Sequence, residues 1–382
     1  MSVYWTDLVR KLDPYVPGEQ PRDRRYIKLN TNESPYPPSP NTLAAIRDAA
    51  ADTLRLYPDP QCLELRRAIA ERYATTVERV FVGNGSDEIL AFTFAAFFGA
   101  NAQDGNLAGK AADTAAGSVS TSSMQHPTAP LLFPDISYSF YPVYAGLWNQ
   151  PFLTLPLTED FSIRADDYLR PCAGVVFPNP NAPTGRALPL AEVLRIVEHQ
   201  QKANKVVLVD EAYVDFGTES AVDAVDRYPN LLVVHTLSKS RSLAGLRVGY
   251  AIGQEDLIEG LRRVKDSFNS YTLDRLALAG ATAAIQDSSY YEESNRRVMA
   301  TRDRTAAELV KLDFYVVPSS ANFYFIRHPG VSGEALFKGL REKGILVRHF
   351  RKPRIEEYLR VSIGTDADMD AFLQAARELV KA

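Results

Sequence analysis

The sequence predicts an α/β protein with a large, mostly parallel sheet domain followed by a smaller α/β carboxy-terminal domain. Three observations carry this. Short apolar runs alternate with longer amphipathic segments through most of the chain, the period switching between strand-like and helical. At 382 residues the chain is longer than one core usually occupies, which points to two domains. The apolar runs also end in polar and charged residues, at the edge where open α/β sheets hold their ligands. The expected organisation is an arm over 1–40, a large domain over 41–285 and a small domain over 286–382.

In chain order, residues 1–40 read as irregular, closing on the proline-rich run from Pro35 to Pro40. Helices are expected over 41–51 and 61–73, the second carrying Leu65, Ala68, Ile69 and Tyr73 on one face. A strand over 80–82 enters Gly83-Asn84-Gly85-Ser86-Asp87-Glu88 before an apolar helix over 89–98. A glycine turn from strand into helix exposes backbone N–H groups that bind phosphate. Glu88 stands where a dinucleotide fingerprint would have its third glycine, which counts against that fold. Residues 101–126 are different in kind: fifteen of the 26 are Ala, Gly, Ser or Thr, too few apolar groups to offset their ordering entropy. They read as an insertion on an otherwise complete scaffold.

Strands follow over 131–133 and 174–177, the second ending in Pro178-Asn-Pro-Asn-Ala-Pro-Thr-Gly185, and then a helix over 190–201. The run from Lys205 to Val209 delivers a carboxylate, Asp210, at its end, with Tyr213 three residues on. That carboxylate could make a salt bridge, cap a helix, bind metal with Glu211, or pair with a cationic ring nitrogen. The apolar run 231–234 leads to Lys239, set among small and hydroxyl-bearing residues where the strand should end. Partial desolvation there would lower the lysine's pKa and free its amine to attack carbonyl carbon. Arg247, eight residues later and just before the apolar run 248–252, is placed to return to the same pocket and clamp an anion. Helices are expected over 257–264, 273–285 and 290–311, and then alternating strands and helices to the end. Arg348 and Arg360 lie in or beside those strands, and Arg360 inside Tyr-Leu-Arg-Val-Ser-Ile-Gly is out of place in a core unless it meets an anion.

Composition excludes several classes of function. A formal charge of −4 gives no general attraction to nucleic acid or anionic membrane, so an anionic ligand must be held by a local cluster. Two cysteines, Cys62 and Cys172, cannot make a disulfide framework, which suits a reducing compartment. The amino terminus shows no signal-peptide pattern, and the longest apolar stretch, 89–100, is too short to span a bilayer, so a cytoplasmic protein is expected. Five scattered histidines without close Cys/His spacing leave no zinc motif, and no metal is expected.

The order of phosphate turn, tyrosine, Asn-Pro-rich turn, strand-end aspartate and lysine with trailing arginine resembles the fold-type I pyridoxal-phosphate-dependent aminotransferases, over essentially the whole chain outside the insertion. Within them, Leu12-Asp13-Pro14-Tyr15, Leu29-Asn30-Thr31-Asn32-Glu33, Gly83-Asn84-Gly85-Ser86-Asp87-Glu88 and Leu54-Arg55-Leu56-Tyr57-Pro58-Asp59 look most like the branch acting on histidinol phosphate. The resemblance implies pyridoxal 5′-phosphate as cofactor and Lys239 as the catalytic lysine that holds it. It implies Gly85, Ser86, Asp87, Ser238 and Arg247 around the phosphate, Tyr138 stacked on the ring, Asp210 on the pyridine nitrogen and Tyr213 on the ring oxygen. Members commonly carry Asn directly before Pro-Thr-Gly to bond that oxygen; here the position is Ala182, and Asn181 is the nearest substitute. Tyr15, Asn32, Arg348 and Arg360 are implied for the substrate, and Tyr57 for the partner's cofactor phosphate across a homodimer. The implied substrates are histidinol phosphate and 2-oxoglutarate, with imidazole-acetol phosphate and glutamate as products. An aromatic-amino-acid aminotransferase, a phospho-amino-acid decarboxylase on the same scaffold, and a non-catalytic binding module are the competing readings.

Overall fold

The computed structural model describes residues 3–15, 18–21, 23–98 and 129–381; the expected insertion over 101–126 lies outside them. The arm is more ordered than its prolines suggest. It contains helix α1 (Asp7–Lys11) and strand β1 (Ile27–Lys28). Its proline run ends by starting helix α2 (Pro40–Ala49), because proline at the first helical position has no N–H to lose and Ser39 Oγ accepts from Thr42 N–H. Helix α3 (Leu63–Arg72) follows, and strand β2 (Val80–Asn84) runs straight into helix α4 (Gly85–Thr93). That helix begins four residues earlier than expected, since Asp87 and Glu88 in its first turn favour the positive end of the helix dipole.

The large sheet is completed by β3 (Leu131–Pro134), β4 (Phe152–Leu155), β5 (Gly174–Pro178), β6 (Val207–Asp210), β7 (Leu231–Thr236) and β8 (Val248–Gly253). Helix α5 (Tyr141–Leu147) lies between β3 and β4, and α6 (Leu190–Lys202) between β5 and β6. The spatial order is β2-β8-β7-β6-β5-β3-β4, with β8 antiparallel to both neighbours and every other pair parallel. All residues of β5, β6 and β7 are buried. Alternate side chains enter two cores: Val175, Val207, Leu231 and Val233 pack on one face, Val176, Leu208, Leu232 and Val234 on the other. This two-sided burial explains why the strands read as continuous apolar runs.

Helices α7 (Glu255–Phe268) and α8 (Arg275–Gln286) precede α9 (Ser288–Val310), which leads to the smaller carboxy-terminal domain. There β9 (Tyr315–Val317), β10 (Phe323–Arg327), helix α10 (Gly333–Glu342), β11 (Ile345–Leu346), β12 (Arg348–His349), β13 (Leu359–Ser362) and helix α11 (Asp366–Lys381) follow in turn. An antiparallel sheet forms in the order β12-β13-β10-β9. Strand β1 of the arm pairs in parallel with β11, Ile27 opposite Ile345, and Leu29 is buried with Phe323, Ile345, Val361 and Phe372. The arm is thereby fixed to the small domain, which brings its Asn-Thr-Asn-Glu segment over the large sheet. Among the described residues no helix is long and apolar enough to cross a membrane.

Candidate active site

Strands β5, β6 and β7 all finish at one edge of the large sheet, at Pro178, Asp210 and Thr236. Strand β2 runs in the same direction, being antiparallel to β8, so the start of α4 reaches that edge as well. A cavity of about 190 Å3 lies there, lined by Ser86, Asp87, Tyr138, Asp210, Tyr213, Ser238, Lys239 and Arg247 among others. Eight of the residues singled out from sequence are thus brought to one place.

Lys239 sits in the turn after β7, its Nζ donating to the carbonyl of Thr31 at 3.1 Å and lying 5.9 Å from the Tyr213 ring centroid. Burial, with Arg360 adding repulsion, holds its pKa down at about 8 against the opposing pull of Glu33 and Asp87. A substantial neutral fraction near physiological pH makes the amine a nucleophile and a base. Asp210, at the end of β6, accepts from Tyr141 Oη (2.9 Å) and from the N–H of Ala212 (3.3 Å). Burial nevertheless pushes its pKa up to about 6, more than the Tyr141 hydrogen bond lowers it. A buried carboxylate of this kind is best satisfied by a cation placed against it.

The third element is an anion cradle. The first N–H groups of α4, at Gly85 to Asp87, have no intrahelical carbonyl to meet. Gly85 has φ +75°, and a Cβ there would come within 2.6 Å of Arg247 Nη2. A Cβ on Gly249 would strike the Ser86 nitrogen at 2.5 Å, so glycine at 249 lets β8 pack directly under the helix start. Arg247, itself left-handed at φ 56°, donates to Ser238 Oγ (3.2 Å) and Asp87 Oδ2 (3.1 Å). Tyr138 Oη donates to Asp87 Oδ1 at 2.7 Å. The Asp87 carboxylate therefore serves to aim Arg247 and Tyr138, leaving its backbone N–H for an anion. An amine, a buried carboxylate and this cradle together fit pyridoxal phosphate, whose aldehyde, ring nitrogen and phosphate need those three partners.

Asn181 is placed differently from the expectation. It is fully buried, its Nδ2 donating to the Ile136 carbonyl (3.0 Å) and Thr184 Oγ1 (2.9 Å), while Ala182 is the residue that lines the cavity. The side chain is held in the turn by its neighbours, and it is not among the residues lining either cavity. Tyr57 lines neither active-site cavity; it is 78% exposed and stacks on Tyr271 at 4.7 Å between centroids.

A second cavity of about 230 Å3 adjoins the first, sharing Thr31, Tyr138, Ala182, Tyr213 and Lys239 with it. Tyr15, Asn32, Arg348 and Arg360 line it, Tyr15 stacking on Phe140 at 4.3 Å. Arg348 on β12 and Arg360 on β13 are direct cross-strand partners, an arrangement of like charges that disfavours the sheet unless an anion lies between them. Arg360 Nη2 donates to the Asn30 carbonyl (2.9 Å), but its buried Nε has no partner. Burial lowers the Arg360 pKa, and Arg348 contributes to the same effect. The site also includes residues that sequence reasoning passed over: Thr31 and Glu33 in the cavity wall, Tyr141 on Asp210, and Gly249. Tyr141 had a signal in its nearness to Tyr138, and Gly249 in its place just after Arg247. A larger concavity of about 760 Å3, lined by Cys62, Arg66, Arg262 and Lys265 among others, shares no residue with either cavity and lacks the lysine and strand-end carboxylate.

Comparison with known proteins agrees with this geometry. Residues 24–375 match the family of class I and II aminotransferases. The histidinol-phosphate aminotransferase of Aromatoleum aromaticum is 53% identical over 385 residues, covering the whole of both chains. That of Clostridium acetobutylicum is 50% identical over 380 residues, again covering both fully. The crystal structure of the Sinorhizobium meliloti histidinol-phosphate aminotransferase in complex with pyridoxal-5′-phosphate superposes with a TM-score of 0.82 over all of this chain and 98% of that one, at 23% identity, a likeness of fold.

Proposed function

The chain belongs to the class I and II aminotransferase family, and on that premise we propose that Lys239, Asp210 and the arginine pair of the second cavity carry its reaction. That reaction is the transamination of histidinol phosphate, in histidine biosynthesis, with pyridoxal 5′-phosphate as cofactor. The bound cofactor supplies an aldehyde that captures an amine and a ring that stores the electron pair released at the substrate carbon. Ser86, Ser238 and Arg247, with the N–H groups at the start of α4, hold its phosphate. Asp210 keeps the ring nitrogen protonated, its own charge favoured by that neighbour over the protonation that burial alone promotes. Lys239 would anchor the cofactor, and its amine is placed to take the proton from the substrate's amine-bearing carbon.

One observation carries the substrate assignment: Arg348 and Arg360 face each other across β12 and β13 in a cavity continuous with Lys239. Two guanidiniums suit a phosphomonoester and, in the other half-reaction, a dicarboxylate such as 2-oxoglutarate. Tyr15 and Asn32 complete that cavity. The test is a side-by-side assay of histidinol phosphate, phenylalanine and phosphothreonine. Histidinol phosphate should be the best amino donor. Fast phenylalanine turnover without histidinol phosphate activity, or decarboxylation of phosphothreonine, would overturn the assignment.

We further propose a symmetric homodimer in the cytoplasm. Support for a partner surface comes from the exposed Leu54, Leu56, Tyr57, Phe268 and Tyr271, among which Tyr57, stacked on Tyr271, is exposed enough to meet a second subunit's phosphate. The free, buried thiols of Cys62 and Cys172 suit a reducing compartment. The proposed domain boundaries at 40/41 and 285/286 fall within three residues of the starts of α2, at Pro40, and α9, at Ser288.

A further inference from the structure

Tyr213 enters the cavity with its hydroxyl already engaged, and the direction of that engagement can be worked out from a donor that cannot reverse. The backbone N–H of Asn32 donates to Ser362 Oγ at 2.8 Å. Ser362 Oγ also lies 2.9 Å from Asn32 Oδ1, and a hydroxyl has one proton to give. That proton goes to Oδ1, which orients the amide with Nδ2 toward Tyr213. Nδ2 can only donate, so Tyr213 Oη accepts from it, at 3.0 Å. The phenol's own proton is then left for an acceptor in the cavity. The opposite amide orientation would strand the Ser362 hydroxyl proton at a residue only 2% exposed. Asn32 itself is fixed: it is buried, left-handed at φ 56°, and its carbonyl accepts from Asn322 Nδ2 at 3.0 Å.

Resting on the cofactor assignment above, we propose that Ser362 and Asn32 are positioning residues that commit the Tyr213 phenol proton to the phenolic oxygen of the bound cofactor ring. The Ala182 side chain brings no donor to this wall, which leaves Tyr213 as the side chain placed to donate. Ser362 lies two residues from Arg360 on β13 and so on the same face of that strand, which joins the substrate's anion site to the hydrogen bonding of the ring. Burial raises the pKa of Tyr213 against the pull of Arg360 and of the Asn32 hydrogen bond, with Asp210 and Tyr15 also acting to raise it, so the phenol keeps its proton at working pH. The other charged group facing it is Lys239, whose Nζ lies over its ring.

The test is a pH titration of the visible absorbance of the bound cofactor, which reads hydrogen bonding to the ring oxygen without turnover. Losing a donor to that oxygen destabilises its anionic form and moves the midpoint upward. Tyr213→Phe, Ser362→Ala and Asn32→Asp should each raise it by about one to two pH units, the range for a hydrogen bond to a charged group. In Asn32→Asp the carboxylate can only accept, so Tyr213 turns its proton away from the ring. Aspartate also tolerates the left-handed backbone at 32, so this variant decides the matter if Ser362→Ala fails to fold. Ser362→Thr retains the hydroxyl and should restore the wild-type midpoint. A midpoint unmoved in Ser362→Ala and Asn32→Asp, but raised in Tyr213→Phe, would overturn the proposal. A midpoint unmoved in Tyr213→Phe itself would instead overturn the placement of Tyr213 on the cofactor, and the proposal with it.

Discussion

Replacing Lys239 with methionine should make the cofactor-free protein more stable at neutral pH while abolishing its function. Burial lowers the amine's pKa from 10.5 to about 8. The unfolded chain holds the amine charged up to the higher value, so the folded state bears a penalty that is complete below about pH 8 and gone above pH 10.5. A shift of that size is about 3 kcal/mol at pH 7 and about 1.4 kcal/mol at pH 9.5. Methionine removes the penalty at similar volume but leaves the Thr31 carbonyl without its lysine donor, a loss of about 1 kcal/mol. The net gain is about 2 kcal/mol at pH 7 and close to zero at pH 9.5. With an unfolding entropy of about 2.1 cal/mol/K per residue over 382 residues, this is a rise in melting temperature of about 2–3 °C. Cofactor-free wild type and Lys239→Met would be melted at one protomer concentration at both pH values. A variant less stable than wild type at pH 7, or a gain that did not shrink at pH 9.5, would refute a desolvated amine at this position.

Three further outcomes are expected. Asp210→Asn should bind the cofactor yet slow proton removal from the substrate carbon by about 100- to 1,000-fold, the scale of losing one preorganised electrostatic partner; an unchanged single-turnover rate would reduce Asp210 to a structural role. Arg360→Lys keeps the charge but loses the planar fork, so stopped-flow absorbance should show both half-reactions slowed, and damage confined to the 2-oxoglutarate half would contradict a shared anion site. Tyr57→Phe should weaken cofactor retention in dialysis while leaving Lys239 intact; retention equal to wild type would remove Tyr57 from the phosphate site.

The large sheet was the legible part of this chain. Its inner strands are buried on both faces, so the run 231–234 stood out without any alternation and became the strand Leu231–Thr236. Lys239, Asp210 and Arg247 were legible because each closes or opens such a run, and position relative to a strand end is local information. The edge strand Phe152–Leu155 was missed because its first three residues are exposed and its pattern is weak. Long-range pairing left no local trace either. Ile27 meets Ile345, and Arg348 meets Arg360, only through the folded register. The same holds for Ser362, whose link to Tyr213 passes through an asparagine 330 residues away in the chain. The Asn-Ala-Pro turn was hard to read for a related reason: one residue's difference decides that Ala182 lines the cavity while Asn181 bonds within the turn.

The most direct test of the account is to trap the cofactor on its lysine. Wild-type protein with pyridoxal phosphate would be reduced with borohydride, digested, and the labelled peptide identified by mass spectrometry, with and without prior addition of histidinol phosphate. The account predicts a label on Lys239 alone, lost when histidinol phosphate is added first, because substrate amine displaces the lysine. A label on another lysine, or one on Lys239 that histidinol phosphate leaves undiminished, would contradict it.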